Sequence, residues 1–209
     1  FFYPGVSASL IFTDAFKIES NTLTYGKLRV GASKTGRDAD PYLTQPAYRK
    51  AIFDDGFTTG VEFPFNNLAG YTIQNTISNA NLSPEFTTEY EVGVELKLFK
   101  DRIGIDASYY RNINTDGIIP LDISPTAGAT ATIINSGKTT SKGFELMLRT
   151  TPILTKDFRW DVTFNFSRIR SHVDETYPGV DRVYLGGFSG NPAVYAVKGE
   201  RLGTLIGSG

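Results

Sequence analysis

Ser136-Gly137-Lys138-Thr139 matches the close of a phosphate-binding loop, and it is the first place to test for chemistry. Such a loop needs a glycine further upstream, at a position that here holds Thr132. It also needs a following helix, whose N-terminal amides cradle the phosphate. The residues after Thr139 alternate as a strand does, so no nucleotide site is expected. The other candidates are thin. The chain has no Cys and a single His, His172, which leaves no thiolate chemistry and little scope for an imidazole metal site or a Ser–His pair. Asp38, Asp40, Asp54 and Asp55 could offer oxygens to calcium, but without EF-hand spacing they read as solvated loop charge. Gly186-Gly187-Phe188-Ser189-Gly190 lacks dinucleotide-binding spacing and reads as a loop or bulge. Catalytic, cofactor-binding and metal-binding residues are therefore not expected, and the chain is not expected to be an enzyme.

What the sequence offers instead is charge in alternation. Glu91, Glu95 and Lys97 alternate with Val92, Val94, Leu96 and Leu98. Asp106 alternates with Ile105 and Ala107, and Glu145 and Arg149 with Phe144, Leu146 and Leu148. Arg159 and Asp161 alternate with Phe158, Trp160 and Val162. In a strand, successive side chains point to opposite faces, so each run has one apolar and one charged face. Glu91, Glu95, Lys97, Asp106, Glu145, Arg149, Arg159 and Asp161 are expected to share the charged face. Mixed signs suit a wet surface on which charges pair across strands.

The elements that must carry these residues are strands. Near the start, Val6, Ala8, Leu10 and Phe12 alternate with Ser7, Ser9 and Thr13, and Leu28 and Val30 with Lys27 and Arg29. Helical periodicity is absent from these runs. Each run approaches the roughly 9–11 residues of a tilted membrane strand and exceeds the usual five or six. Hydrophobic residues are only 40% of the chain while aromatics are 13%, which fits a wall with lipid on one side, water on the other and aromatic girdles at its rims. No run approaches the 18 apolar residues or so of a membrane helix. A net charge of −1 gives no sign of a nucleic-acid partner.

Connections alternate in length. Glu19-Ser20-Asn21, Lys100-Asp101 and Pro152 to Asp157 are short; about 34–84, 112–141 and 172–196 are long. Short turns on one side and long loops on the other are the layout of an outer-membrane barrel, with the long loops outside. Closure is then required, since lipid offers no partner for an edge. The first long loop holds Tyr42, Tyr48, Phe53, Phe57, Phe63, Phe65 and Tyr71. Most of these read as the loop's own small core; Tyr42, Tyr48, Phe53 and Phe57 are the candidates for contact with a solute or partner. Two other readings stay open on pattern alone: a passive porin or adhesin barrel, and a carbohydrate-binding β-sandwich.

Ordered motifs then add a resemblance. Asn81-Leu82-Ser83-Pro84-Glu85 leads into Thr87-Thr88-Glu89-Tyr90-Glu91-Val92-Gly93; Arg102 opens a strand reaching Tyr109-Tyr110, followed by Thr115-Asp116-Gly117-Ile118. Asn135-Ser136-Gly137, Lys142-Gly143-Phe144-Glu145-Leu146, Phe158-Arg159-Trp160, Asn165-Phe166-Ser167 and Val197-Lys198-Gly199-Glu200-Arg201-Leu202-Gly203 follow in order. Over the whole chain this resembles the C-terminal half of the barrel of SusC/RagA-type TonB-dependent outer-membrane transporters. The resemblance implies an all-β fold: an antiparallel transmembrane β-barrel segment, part of a plugged barrel of about 22 strands. It implies active import of oligosaccharides or peptides, a SusD-like surface lipoprotein lid, TonB acting through a region outside this sequence, and contact with outer-membrane lipid. Phe1 and Gly209 are expected to be cut ends within a longer chain.

Overall fold

The computed structural model describes residues 2–54, 57, 60–187 and 192–207. In chain order the strands are β1 (Gly5–Ile11), β2 (Leu23–Arg37), β3 (Tyr48–Lys50), β4 (Ile52–Phe53), β5 (Val61–Glu62), β6 (Tyr71–Ile73), β7 (Thr76–Ile77), β8 (Glu85–Leu98), β9 (Ile103–Thr115), β10 (Ile118–Asp122), β11 (Ala131–Asn135), β12 (Lys138–Leu154), β13 (Arg159–Glu175), β14 (Arg182–Gly187), β15 (Ala193–Val197) and β16 (Thr204–Ile206). One helical turn, α1 (Phe12–Ala15), and a 3-10 turn at Pro125–Ala127 complete the list. The chain forms two compact units: Phe1–Gly36, Phe86–Thr115 and Gly137–Gly209 make the first, Arg37–Glu85 and Asp116–Ser136 the second.

The first unit is built on a six-stranded sheet in the order β1-β2-β8-β9-β12-β13. Neighbours in the sheet are neighbours among its strands in sequence, and the pairs β1–β2, β8–β9, β9–β12 and β12–β13 are antiparallel. Thr24 hydrogen-bonds Lys97 at one end while Lys34 lies over the Phe86 ring at the other, so β2 also runs against β8. The result is an up-and-down meander. β2, β8, β9, β12 and β13 have 15, 14, 13, 17 and 17 residues, longer than a bilayer crossing requires.

Register confirms that alternation sorts the side chains. Leu96, Ile105, Leu148 and Phe164 form one row across four strands; Val94, Ala107, Leu146 and Phe166 form the next, and Val92, Tyr109 and Phe144 continue the one after. Phe144 and Phe166 touch ring to ring at 6.4 Å. Among the described residues of its own unit nothing covers this apolar face: Phe164 is 53% exposed, Trp160 50%, Tyr109 46%, and Val92 and Phe166 44% each. Buried hydrophobic residues among those described are Ala51, Ala129, Ile133, Val173, Val183 and Ala193, and none lies in these rows. A sheet held by a water-excluding core would hide those aromatics, and a patch this continuous marks a surface that meets something apolar. A sandwich needs a second sheet over that face; the described residues supply none.

The structure departs from the sequence expectation in four places. Phe12 leaves the strand alternation for α1, and its ring occupies the space that Gly26 leaves free. β12 runs on through Pro152 to Leu154, with a register shift between Thr150 and Ile153 that absorbs the proline as a bulge. The long strands end later than expected, so the connections at the far end narrow to 38–84 and 116–137. These connections are also not irregular: in the second unit β10 pairs β11, β11 pairs β7, β3 pairs β6 and β4 pairs β5.

Asn135 ties the second unit together. Its Nδ2 donates to the carbonyls of Ser83 (2.7 Å) and Asp116 (2.9 Å), and its Oδ1 accepts from the Ser83 amide (2.8 Å). Glu85 accepts from the Ile118 amide nearby. Three of the ordered motifs therefore converge on one clamp. In the first unit, β14, β15 and β16 form a small sheet, and the segment around Glu200 to Leu202 pairs with β13 through Val173 and Ser171.

Candidate functional site

The polar face of the six-stranded sheet holds all eight charged residues singled out above. From the short turns upward, Lys97, Gly104, Arg149 and Thr163 form one row; Glu95, Asp106, Met147 and Asn165 the next; then Gly93, Ser108, Glu145 and Ser167; then Glu91, Tyr110, Gly143 and Ile169. Arg159 and Asp161 join this face below the bulge, where Arg159 Nε lies 2.7 Å from Asp161 and the Thr151 hydroxyl donates to Asp161 at 2.6 Å.

At the centre of this face is a residue that the alternation alone did not single out. Arg29 of β2 donates to Asp106 at 2.8 and 3.3 Å and to the Ser108 hydroxyl at 3.2 Å. Both partners lie on β9, so its side chain crosses the whole of β8. Gly93 lets it pass: a Cβ there would stand 2.8 Å from Nη2 of Arg29. The pairing has an electrostatic reason. Glu95 stands directly opposite Asp106. Like charges so placed are unfavourable, and the Arg29 fork offsets them with charge-assisted hydrogen bonds. The signal for it was Gly93, an unfilled position between Glu91 and Glu95. Gly143 is a second such gap, filled by the Tyr110 ring from the neighbouring strand.

The remaining charges are only partly matched. Lys97 lies 5.2 Å from the centre of the Tyr25 ring. Among the described residues, Glu91, Glu95, Glu145 and Arg149 form no ion pair. Met147 and Ile169 are apolar intrusions into this face.

Tyr42, Tyr48, Phe53 and Phe57 all belong to the second unit and are 65, 75, 62 and 96% exposed. Phe65 and Tyr71 are exposed as well; only Phe63 of the aromatic set is half-buried, edge-on to Phe53 at 6.1 Å. Most of these aromatic side chains are thus exposed. Where a phosphate-binding loop would place a helix, Lys138 opens β12 and pairs with Glu175 at 3.9 Å. Arg37 approaches Asp40 at 3.6 Å, and Asp55 lies outside the described residues. The glycine stretch after Tyr184 begins in a bulge, and Phe188 to Gly190 lie outside the described residues. His172 is on the apolar face, 3.6 Å from Asp174. Among the described residues no three His, Cys, Asp or Glu side chains are grouped to hold a metal ion. No helix among them is long and apolar enough to cross a membrane, which leaves crossing by strands untouched.

Comparison with known proteins agrees with this geometry. A family model described as TonB dependent receptor-like, beta-barrel matches residues 1–198. A TonB-dependent receptor of Formosa agariphila is 26% identical over 99% of this chain, and the TonB-dependent receptor SusC of Bacteroides thetaiotaomicron is 26% identical over 81% of it. The chain spans 20% and 17% of the length of these two relatives. The structure of the RagAB peptide transporter shares the fold, with a TM-score of 0.76 at 20% identity over 95% of this chain and 20% of that one. The resemblance to the SusC/RagA type thus holds in sequence and in fold, and the chain belongs to the TonB-dependent receptor β-barrel family.

Proposed function

We propose that this chain is a wall segment of an outer-membrane importer of oligosaccharides or peptides, energised through TonB. One observation supports this above the others: a single meander carries an exposed apolar face on one side and a charged, partly matched face on the other. Such a sheet suits lipid outside and a wet lumen inside. Glu91, Glu95, Lys97, Asp106, Glu145, Arg149, Arg159 and Asp161 then face the lumen, with Arg29 bracing three strands. The unmatched carboxylates and Arg149 offer polar contacts to a plug or a passing solute. Transport is binding and gating, with no bond chemistry. Kinship with SusC and the fold shared with a peptide transporter support import over passive diffusion, and they favour a SusD-like surface lipoprotein as partner. The exposed Tyr42, Tyr48, Phe53 and Phe57 are the contact candidates for that lid or the solute. Family membership supports an outer-membrane location.

The test is uptake by cells that carry or lack the full-length gene. Fluorescent oligosaccharide and peptide mixtures should enter only the carrying cells, and a proton uncoupler should stop entry. Entry that ignores the uncoupler would indicate a passive pore and overturn the proposal.

A further inference from the structure

Four cations stand together on the apolar face. Lys142 of β12 lies directly opposite Arg111 of β9 on one side and Arg170 of β13 on the other. Arg168, one row nearer the short turns, stands opposite Phe144. All four are exposed. Like charges placed directly across strands are unfavourable, their Cβ atoms being roughly 4.5–5.5 Å apart. Among the described residues none of the four forms an ion pair. The register puts no Asp or Glu on this face of β8, β9, β12 or β13 between the short turns and His172. Asp174, beyond His172, is engaged by the Thr140 hydroxyl at 2.6 Å and by His172. The opposite face shows how this sequence balances charge internally, with Arg29 on Asp106 and Arg159 on Asp161. Among the described residues the outward cations have no such counterpart.

Their height is informative. They stand just past the apolar rows, beside Tyr90 and Tyr109, at the end of the sheet from which the long connections leave. In a barrel wall that is the level of the headgroups of the outer leaflet, where tyrosines also gather. Arg111, Lys142 and Arg170 span two strand spacings, about 10 Å, which is wider than one phosphate. We infer that Arg111, Lys142 and Arg170, with Arg168 at their edge, bind the phosphates of a multiply phosphorylated glycolipid headgroup in the outer leaflet. The Arg forks take phosphate oxygens two at a time and Lys142 adds a point charge between them. This rests on the outer-membrane reading above.

The experiment titrates the purified full-length receptor in detergent with bisphosphorylated lipid A, read by native mass spectrometry. Each Lys or Arg near a charged membrane surface contributes roughly five-fold in affinity. R111Q/K142Q/R170Q should therefore bind about 100-fold more weakly. The charge-matched K100Q/R102Q/K156Q, altered only at the short turns, should bind as wild type does. R111K/R170K, which keeps the charges but loses the forks, should bind more weakly than wild type yet more tightly than the triple variant, and K142Q alone should lose about five-fold, which covers the case in which the triple variant fails to fold. Dephosphorylated lipid A should bind wild type and triple variant alike. Equal losses in both triple variants, or none in either, would overturn the inference, as would displacement of lipid A by millimolar inorganic phosphate. A receptor that leaves cells without detergent would instead overturn the outer-membrane reading; one that stays in the membrane yet binds lipid A regardless of the cluster overturns only this inference.

Discussion

Arginine placed at Leu148 should be far more damaging than arginine placed next door at Met147. The two residues are consecutive on β12 and at nearly one height, but Leu148 stands in the row of Leu96, Ile105 and Phe164, while Met147 faces Asp106 and Asn165. Along β13 the apolar face runs from Trp160 to Arg168, eight residues or about 27 Å at ~3.4 Å each. A strand tilt of about 40° reduces this to roughly 21 Å along the membrane normal, close to the ~25 Å apolar band of such barrels. Phe164 is halfway along, so its partner Leu148 lies near the midplane. Arginine there costs about 2–4 kcal/mol, or roughly a 30- to 700-fold loss in the folding equilibrium. Met147→Arg enters a wet face opposite Asp106 and should change stability by less than about 0.5 kcal/mol. The assay is urea-induced unfolding of the full-length receptor in lipid bilayers, followed by its heat-dependent gel mobility. Equal costs for the two variants would refute the assignment of faces.

Other consequences follow from particular contacts. Arg29→Ala and Asp106→Ala should each destabilise modestly, and the double-mutant cycle should give a coupling of about 0.5–1 kcal/mol, since both groups are partly solvated; a coupling of zero would show that the bridge across β8 contributes nothing. Asn135→Ala removes three hydrogen bonds and should cost the second unit about 1–3 kcal/mol, seen as faster proteolysis around Ser83 while the long strands stay protected. Glu62 is held below the ordinary carboxylate range by its hydrogen bond to Lys50 at 2.6 Å. Its contribution is therefore present above the ordinary value and lost as pH falls through the lowered one. In Lys50→Met the Glu62 carboxyl should titrate nearer its ordinary value by carbon-13 NMR.

The strands of the main sheet were legible because alternation at period two is enforced along their central stretches by two different surroundings. Glu91 to Leu98 and Arg159 to Asn165 needed no tertiary information to be sorted into faces. Strand ends were less legible, because beyond the lipid both faces meet water and alternation lapses: β2 runs on to Arg37 and β13 to Glu175 through mixed residues. Pro152 reads as a strand terminator until the bulge shows how β12 passes it. Phe12 continued the pattern by residue type and left it by backbone. The short strands of the second unit have two to five residues, too few for a period to register. The Arg29 bridge and the Arg111–Lys142–Arg170 row were hidden for one shared reason. Each depends on which residue of one strand stands beside which residue of another, and that register is set by turns and bulges, not by local composition.

Single-cysteine scanning along β12, in the full-length receptor cleared of any other cysteine and embedded in a bilayer, reads out which face of the sheet meets water and which meets lipid. This chain has no native Cys to remove. Positions 145, 147 and 149 should react with a small water-soluble maleimide, and positions 144, 146 and 148 should be silent to it but quench with a lipid-borne probe. Uniform labelling of all six positions, or alternation of the opposite phase, would contradict the reading of this sheet as a membrane wall with a wet charged lining.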